Sequence, residues 1–573
     1  MNVMRTSVTQ ASVTQAISIA PGLMPVVNAA LPVGTQVLTV GAGKQYATVA
    51  AAINASHDGD VIRVDAGTYT NDFATITHKI TIEGMGGMVK MVATVAPTNK
   101  KGILVVGNDV TIKNLSFSGS AISASLGGNA AGIRYEGGQM VLSNVSFFGN
   151  QNGVMGNPVI AGLTNTVTID HSLFSGNGSG TGYTHNLYIG AVDKLTATNS
   201  IFEKAKIGHE FKSRARVNNI ENNIFRNTAT GTASYNIDLP NGGVALIKNN
   251  LIQKGPLAQQ GNMIHFGGEG VPYAGSSLTV IGNSFVNNRT SSTVGVLNQT
   301  PISVSITGNN FSGIAAAQIV TGPAVQTSNT LVFNDALAHT VTLDSTIQGV
   351  QGGGGHLSVT AVGSQVVATG GLGGMDYAEI GTSSGNQINT RAGSVNTIHV
   401  LGADSIDSKG TDTIFGGNST IGVLNVTAAA GALTFIGGSG AAVITGLGSK
   451  LYLTGGSGSL TASGGNGATD FTAGSGTTNL TMNSAGGHVM FGTGNTNVQL
   501  AGSGNGVLFD FVAGKGGAAD VISGFRVGTD RLALLGGVGV QSEGVVGGSA
   551  NLLLTDGTRV QLVGVTSTAN LFG

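Results

Sequence analysis

The chain has no cysteine and no tryptophan, and charged residues fill only 9% of its 573 positions. The missing cysteine excludes disulfide staples and suits a chain that crosses membranes unfolded. An average globular protein carries roughly 25% charged residues, so this is not the composition of an ordinary cytosolic enzyme. Basic and acidic residues nearly cancel, 26 against 27, which removes the electrostatic driver of phosphate-backbone binding and argues against nucleic acid as a partner. No run approaches about 18 consecutive apolar residues, so no transmembrane helix is expected. The first thirty positions lack the uninterrupted apolar core and cleavage site of a Sec-type signal peptide. What is abundant is glycine, 94 residues, as stacked β-strands with small residues at every bend require.

A repeat organises the first half. An apolar, β-branched strand is followed by Asn (His171-Ser172 in the unit of Phe174), one or two residues, and an apolar anchor: Phe117, Phe147, Phe174, Phe202, Phe225, Ile252, Phe285 and Phe311. Subtracting residue numbers gives spacings of 30, 27, 28, 23, 27, 33 and 26. A parallel β-helix coil of three short strands and their turns needs roughly 22 to 30 residues. The Leu-x-x-Leu-x-Leu pattern of a leucine-rich solenoid is absent. Asn114, Asn144, Asn199, Asn223, Asn250, Asn283 and Asn310 fall near one bend and are expected to stack as a ladder. A short amphipathic helix starting after Thr48 is expected to hide the open end of the solenoid.

The run Val61-Ile62-Arg63-Val64-Asp65-Ala66-Gly67-Thr68-Tyr69, with Ile80-Thr81-Ile82-Glu83-Gly84, resembles the opening coils of the pectate-lyase-like right-handed β-helix superfamily. That likeness covers about residues 36–320 and implies the fold without naming a substrate. After Thr330 the texture changes to Gly-Gly-x-Gly, as in Gly437-Gly438-Ser439-Gly440 and Gly455-Gly456-Ser457-Gly458, which resembles the calcium-binding RTX nonapeptide. Most units lack its Asp, and calcium wants several anionic oxygens. Calcium is therefore the one candidate cofactor, at Asp407, Asp412 or Asp470, with solvated turn residues as the plainer alternative for each. Ala519-Asp520-Val521-Ile522-Ser523-Gly524-Phe525-Arg526-Val527-Gly528-Thr529-Asp530 resembles the C-terminal module of type I secreted RTX proteins. It implies an uncleaved export signal, type I secretion machinery as a partner, and an extracellular or cell-surface location in a Gram-negative bacterium. A plain β cap is the alternative.

Chemistry is sought where inward apolar residues fix the register, because side chains alternate between core and solvent along a strand. With Leu187, Ile189, Phe211, Ile237, Leu239, Ile264 and Phe266 inward, Tyr188, Lys212, Asp238 and His265 face outward at spacings of 24, 26 and 27. Those are coil lengths. Asn186, Glu210 and Asn236 are expected to form a neighbouring outward column, Arg214 to lie just beyond Lys212, and His185 and His209 to sit 24 apart ahead of the strands. Such a set suits β-elimination on a uronic acid: Lys212 as base, Arg214 neutralising the carboxylate, Tyr188 or His265 as proton donor. Asn186, Glu210, Asn236, Asp238, His185 and His209 would bind or orient substrate. Glu210-Phe211-Lys212-Ser213 with Asn223-Ile224-Phe225 resembles the Lys-Ser strand of chondroitinase B and related alginate lyases, in which the Lys is the base; the Arg that family carries on its next coil is replaced here by Ile237-Asp238-Leu239-Pro240.

The expectation is therefore a weakly structured leader (1–35), a right-handed parallel β-helix (36–325), a Gly-rich β-roll or solenoid (326–500) and a C-terminal secretion-associated β cap (501–573). The protein is expected to act on or bind extracellular acidic polysaccharide, with lyase chemistry preferred over two-carboxylate hydrolysis by Glu210 and Asp238. A non-catalytic matrix, adhesin or surface-layer protein is the competing reading. The 41% apolar content points to lateral self-association.

Overall fold

The computed structural model describes residues 34–572 except 420, 421, 484 and 503; all but the last two positions of the expected leader lie outside them. The chain divides into two compact units, Met1–Leu331 and Val332–Gly573. Both are parallel β-solenoids, and no helix among the described residues is long and apolar enough to cross a membrane.

In the first unit each coil contributes three strands. Leu187–Ile189, Lys194–Thr198 and Ile201–Glu203 make one coil, and Phe211–Ser213 opens the next. Each strand pairs in parallel with its counterpart one coil away, so residues at one register stack in columns. The Phe anchors form such a column inside: rings of Phe117, Phe147, Phe174, Phe202 and Phe225 follow one another at 5.4, 4.6, 4.8 and 5.1 Å. Ile252 takes the same register before Phe285 and Phe311 resume it at 4.6 Å. The expected helix spans Val49–Ala55, with the Thr48 side chain accepting from the Ala51 amide. Asp72 accepts from the Val49 and Ala50 amides at 2.6 and 2.9 Å, satisfying donors that the first helical turn leaves free.

The Asn recurrence resolves into two columns with different physics. Asn114, Asn144 and Asn199 sit at the bend itself with φ of 59°, 54° and 49°, as do Asn222 and Asn249. Asn tolerates this left-handed region better than any other non-Gly residue. The interior ladder is the next position: Asn223, Asn250, Asn283, Asn309 and Asn329, where from Asn250 onward each side-chain oxygen accepts from the backbone amide and the side-chain amide of the Asn before it, and the Asn223 oxygen accepts from the Ser200 amide. The ladder member is thus Asn309; Asn310, expected in that column, is exposed and belongs to the following strand.

The second unit has two strands per coil. Ala432–Ile436, Lys450–Thr454 and Thr469–Thr472 continue one ladder; Ala441–Gly446 and Leu460–Ser463 lie in the other. The ladders run on through Val507–Val512 and Ala519–Ser523, and an antiparallel hairpin, Val540–Val546 with Ser549–Leu554, pairs with Arg559–Val563 near the C-terminus. The Gly pairs have a steric cause. A Cβ at Gly438 would lie 2.3 Å from the Gly417 carbonyl oxygen, at Gly456 1.9 Å from that of Gly438, and at Gly474 2.1 Å from that of Gly456. Successive coils approach so closely at this bend that only hydrogen fits.

One buried acid in this unit makes stability pH-dependent. Asp404 is buried and accepts from the Asn386 amide at 2.8 Å, while Glu379 accepts from Tyr377, Asn386 and the Leu401 and Gly402 amides. Burial raises the Asp404 pKa, and the Glu379 charge adds to it against the Asn386 hydrogen bond. A raised carboxyl contributes fully below its unfolded value near 4 and loses that contribution as pH climbs through the folded value. Asp404→Asn keeps the acceptor and supplies the proton-like donor, so it should stabilise this unit at pH 8 by about 1–3 kcal/mol. The gain should shrink toward pH 4 in calorimetric unfolding of the full chain.

Candidate functional site

The expected register is formed, but only Tyr188 and Lys212 keep partial exposure, while Asp238 and His265, expected to face solvent, are buried beneath their neighbours. Tyr188 pairs with Lys212, Lys212 with Asp238, and Asp238 with His265 in consecutive parallel strands. The flanking Leu187, Ile189, Phe211, Ile237, Leu239, Ile264 and Phe266 are all fully buried, which pins the intervening side chains to the other face.

Asp238 is the hub. Its Oδ1 lies 2.8 Å from His265 Nδ1, and its Oδ2 lies 3.0 Å from Lys212 Nζ and 3.4 Å from His209 Nε2. Burial alone would raise this carboxyl, but the His265 hydrogen bond, His209 (cationic only in the acid range where this carboxyl titrates) and the Lys212 charge outweigh it and hold the pKa at about 2. His265 shows the reciprocal effect: burial opposes its charge, yet the hydrogen bond and charge of Asp238 raise its pKa. Its Nε2 faces Gln299 Oε1 at 2.7 Å, so both ring nitrogens meet acceptors, as an imidazolium requires. His209 goes the other way. Burial, set against the Asp238 charge, lowers it to about 4, and the imidazole is neutral at physiological pH.

Two cations face one carboxylate beside this hub. Glu269 Oε1 is 3.1 Å from Lys212 Nζ, and its Oε2 is 2.5 Å from Arg214 Nη2. Arg214 also donates from Nε to the Tyr188 hydroxyl at 3.1 Å and from Nη1 to Asn241 Oδ1 at 2.5 Å. Glu269 thus bridges Lys212 and Arg214. Behind the column His185 and His209 stack at 4.7 Å, and Tyr235 continues to His265 at 4.6 Å. His185 Nδ1 accepts from the His209 amide at 3.0 Å. Both histidines are packed as a ring stack rather than held in open turns.

The second expected column is a correction. Asn186, Glu210 and Asn236 are fully buried. They precede their strands, at a bend where the chain has not begun to alternate, and they point into the interior. Asn186 donates to the Glu203 carbonyl at 2.9 Å and to the Glu210 carboxylate, while Asn236 donates to the Gln253 carbonyl at 3.0 Å. Burial pushes Glu210 up to about 8.

Glu269, Asn241 and Gln299 escaped the sequence reading. They lie outside the repeat, in connections after the site strands, and only the lone acid of Gly267-Gly268-Glu269-Gly270 gave a signal. The three calcium candidates are not brought together. Asp412 is buried and accepts from Thr390 at 2.7 Å, Ser408 at 2.6 Å and Asn396 at 2.5 Å; Asp407 pairs with Lys409; Asp470 lies 3.9 Å from Lys450. In the C-terminal segment Asp530 is tied by Arg526 at 2.7 and 3.0 Å and accepts from the Val507 amide at 2.9 Å, which gives its Gly-Phe-Arg-x-Gly-x-Asp pattern a structural role.

Neither a family model nor a curated protein matches this chain.

Proposed function

We propose that this is an exported protein of the pectate-lyase-like type whose first unit binds acidic polysaccharide and cleaves it by β-elimination. The observation that carries the reading is the convergence of Lys212, Arg214 and Tyr188, backed by the buried Asp238 and His265, on the side of one strand ladder that faces away from the apolar core, in a chain so poor in charge. A strand face of a solenoid runs along the coil axis, so a polymer laid on it meets successive coils at about 4.8 Å intervals.

Elimination needs three services. Arg214 neutralises the uronate carboxylate, which acidifies the neighbouring C5 proton. The amine form of Lys212 takes that proton, the electron pair becomes the C4–C5 double bond, and the C4–O4 bond breaks. Tyr188, held by Arg214 Nε, protonates O4 as it leaves; His265, engaged on both sides, keeps Asp238 oriented against Lys212. The Glu210–Asp238 pair cannot serve two-carboxylate hydrolysis, since Glu210 is buried in the core. The test is absorbance of unsaturated uronate ends when the full chain is given polygalacturonate, alginate and glycosaminoglycan. Absorbance growing with time supports the reading, and silence from folded protein across all three contradicts it.

The matrix or adhesin reading draws on the second unit. There Thr427, Thr445, Ser463 and Thr481 occupy one register on successive coils, a neutral hydroxyl stripe that offers contact without chemistry. Export through a type I machinery rests on the likeness of residues 505–573 to such C-terminal modules.

A further inference from the structure

We propose that Lys212 and Arg214 form a receptor that captures a single substrate carboxylate in place of Glu269, its occupant in the resting protein, and that Lys212 then releases its proton to solvent and turns to C5 as the amine while Arg214 keeps the carboxylate. The inference rests on the acidic-polysaccharide reading and assigns the subsite within it.

The geometry is that of a stand-in. Each Glu269 oxygen takes one cation, at 3.1 Å from Lys212 and 2.5 Å from Arg214, the two-point engagement that a uronate carboxylate would make. The Glu269 side chain is 46% exposed, whereas Lys212 and Arg214 are 12% and 24% exposed. The acid thus lies over the cations, on the side from which a polymer arrives.

The cations are built in from below. Lys212 is held by Asp238 at 3.0 Å, and Arg214 by Tyr188 at 3.1 Å and Asn241 at 2.5 Å. None of those contacts must break when Glu269 leaves. The loop carrying Glu269 is fixed by its backbone instead: its amide donates to the Pro240 carbonyl at 2.8 Å, and Tyr273 donates to the Arg214 carbonyl at 2.7 Å. Gly267 and Gly270, at φ of 82° and 92°, flank the residue. The side chain can therefore swing away from an anchored loop.

The energetics favour exchange. A half-exposed ion pair is screened and worth little, while its loss is compensated by an equivalent carboxylate. With Glu269 in place each of the two cations facing the substrate, Lys212 and Arg214, already meets a carboxylate, so an uncharged sugar gains nothing there and an anion must compete. Removing the internal anion leaves a net positive subsite.

The experiment is calorimetric titration of the full chain, wild type and Glu269→Gln, with a polygalacturonate oligomer, an alginate oligomer and a neutral glucan oligomer. Glutamine preserves the backbone anchor and the side-chain length. The variant should bind whichever acidic oligomer the wild type binds about two- to fivefold more tightly, with a steeper loss of affinity as salt rises and no gain for the glucan. Glu269→Asp, which keeps the charge on a shorter arm, should fall between the two. If Glu269→Gln, folded by circular dichroism, binds the acidic oligomer no better than wild type, the displacement proposal is overturned and the polysaccharide reading stands. If neither protein binds any acidic oligomer, both fall together.

Discussion

Lys212→Ala should lower turnover on the polyuronate that the wild type cleaves by about a thousandfold or more, while the protein remains folded. General base catalysis contributes roughly 10²–10⁴-fold, and loss of one electrostatic stabiliser roughly 10²–10³-fold; this side chain stands where either would act. The fold should survive because Asp238 keeps His265 at 2.8 Å and the strand's inward residues are untouched. Lys212→Arg separates the two roles: a retained charge that restores binding but not turnover identifies the base, and recovery of both identifies a neutraliser. Asp238→Asn gives an independent check on the hub. It removes the charge that helps raise His265 and leaves only a neutral amide oxygen as acceptor, so the His265 pKa should fall in an NMR titration. Unchanged titration would mean that the network in the site is not as described.

Asn283→Ala should destabilise the first unit by about 3–5 kcal/mol. Asn283 is fully buried, donates to the Ile247 and Ile281 carbonyls at 2.9 and 3.1 Å, and accepts from the Asn250 amide at 2.8 Å. It also joins Asn250 and Asn309 side chain to side chain at 2.9 and 3.0 Å. Truncation leaves several of these groups buried without partners, at roughly 1–3 kcal/mol each. Asn310→Ala, on the exposed neighbour one residue beyond the ladder, should change stability by less than about 0.5 kcal/mol. Denaturant unfolding of the two variants compares them directly, and equal effects would sink the ladder account.

The solenoid of the first unit was legible because its two periods are set by different forces that agree. Alternation by two places the apolar residues inside, and the coil length places each Phe over the last. The same logic found the Tyr188–Lys212–Asp238–His265 column. It failed for Asn186, Glu210 and Asn236 because alternation holds only within a strand, and these residues stand on the bend, where buried backbone groups compete for their side chains. Glu269 was illegible for a related reason: a connection between coils has no repeat to fix its direction. In the second unit the Gly pairs were visible, yet their cause lies in the approach of one coil's carbonyl to the next coil's Cα, which no single coil's sequence displays. The hydrogen-bonding partners of Asp412 come from two coils, so its burial could not be read from the repeat in which it lies.

The central claim is that the outward column breaks a glycosidic bond by elimination. Mass spectrometry of the oligosaccharides released by the full chain in ¹⁸O-labelled water tests it most directly. Elimination predicts unsaturated fragments, each lighter by one water than its hydrolytic counterpart and free of ¹⁸O at the newly formed ends. Saturated fragments labelled at the new reducing end, or an intact polymer after prolonged incubation with folded protein, would contradict it.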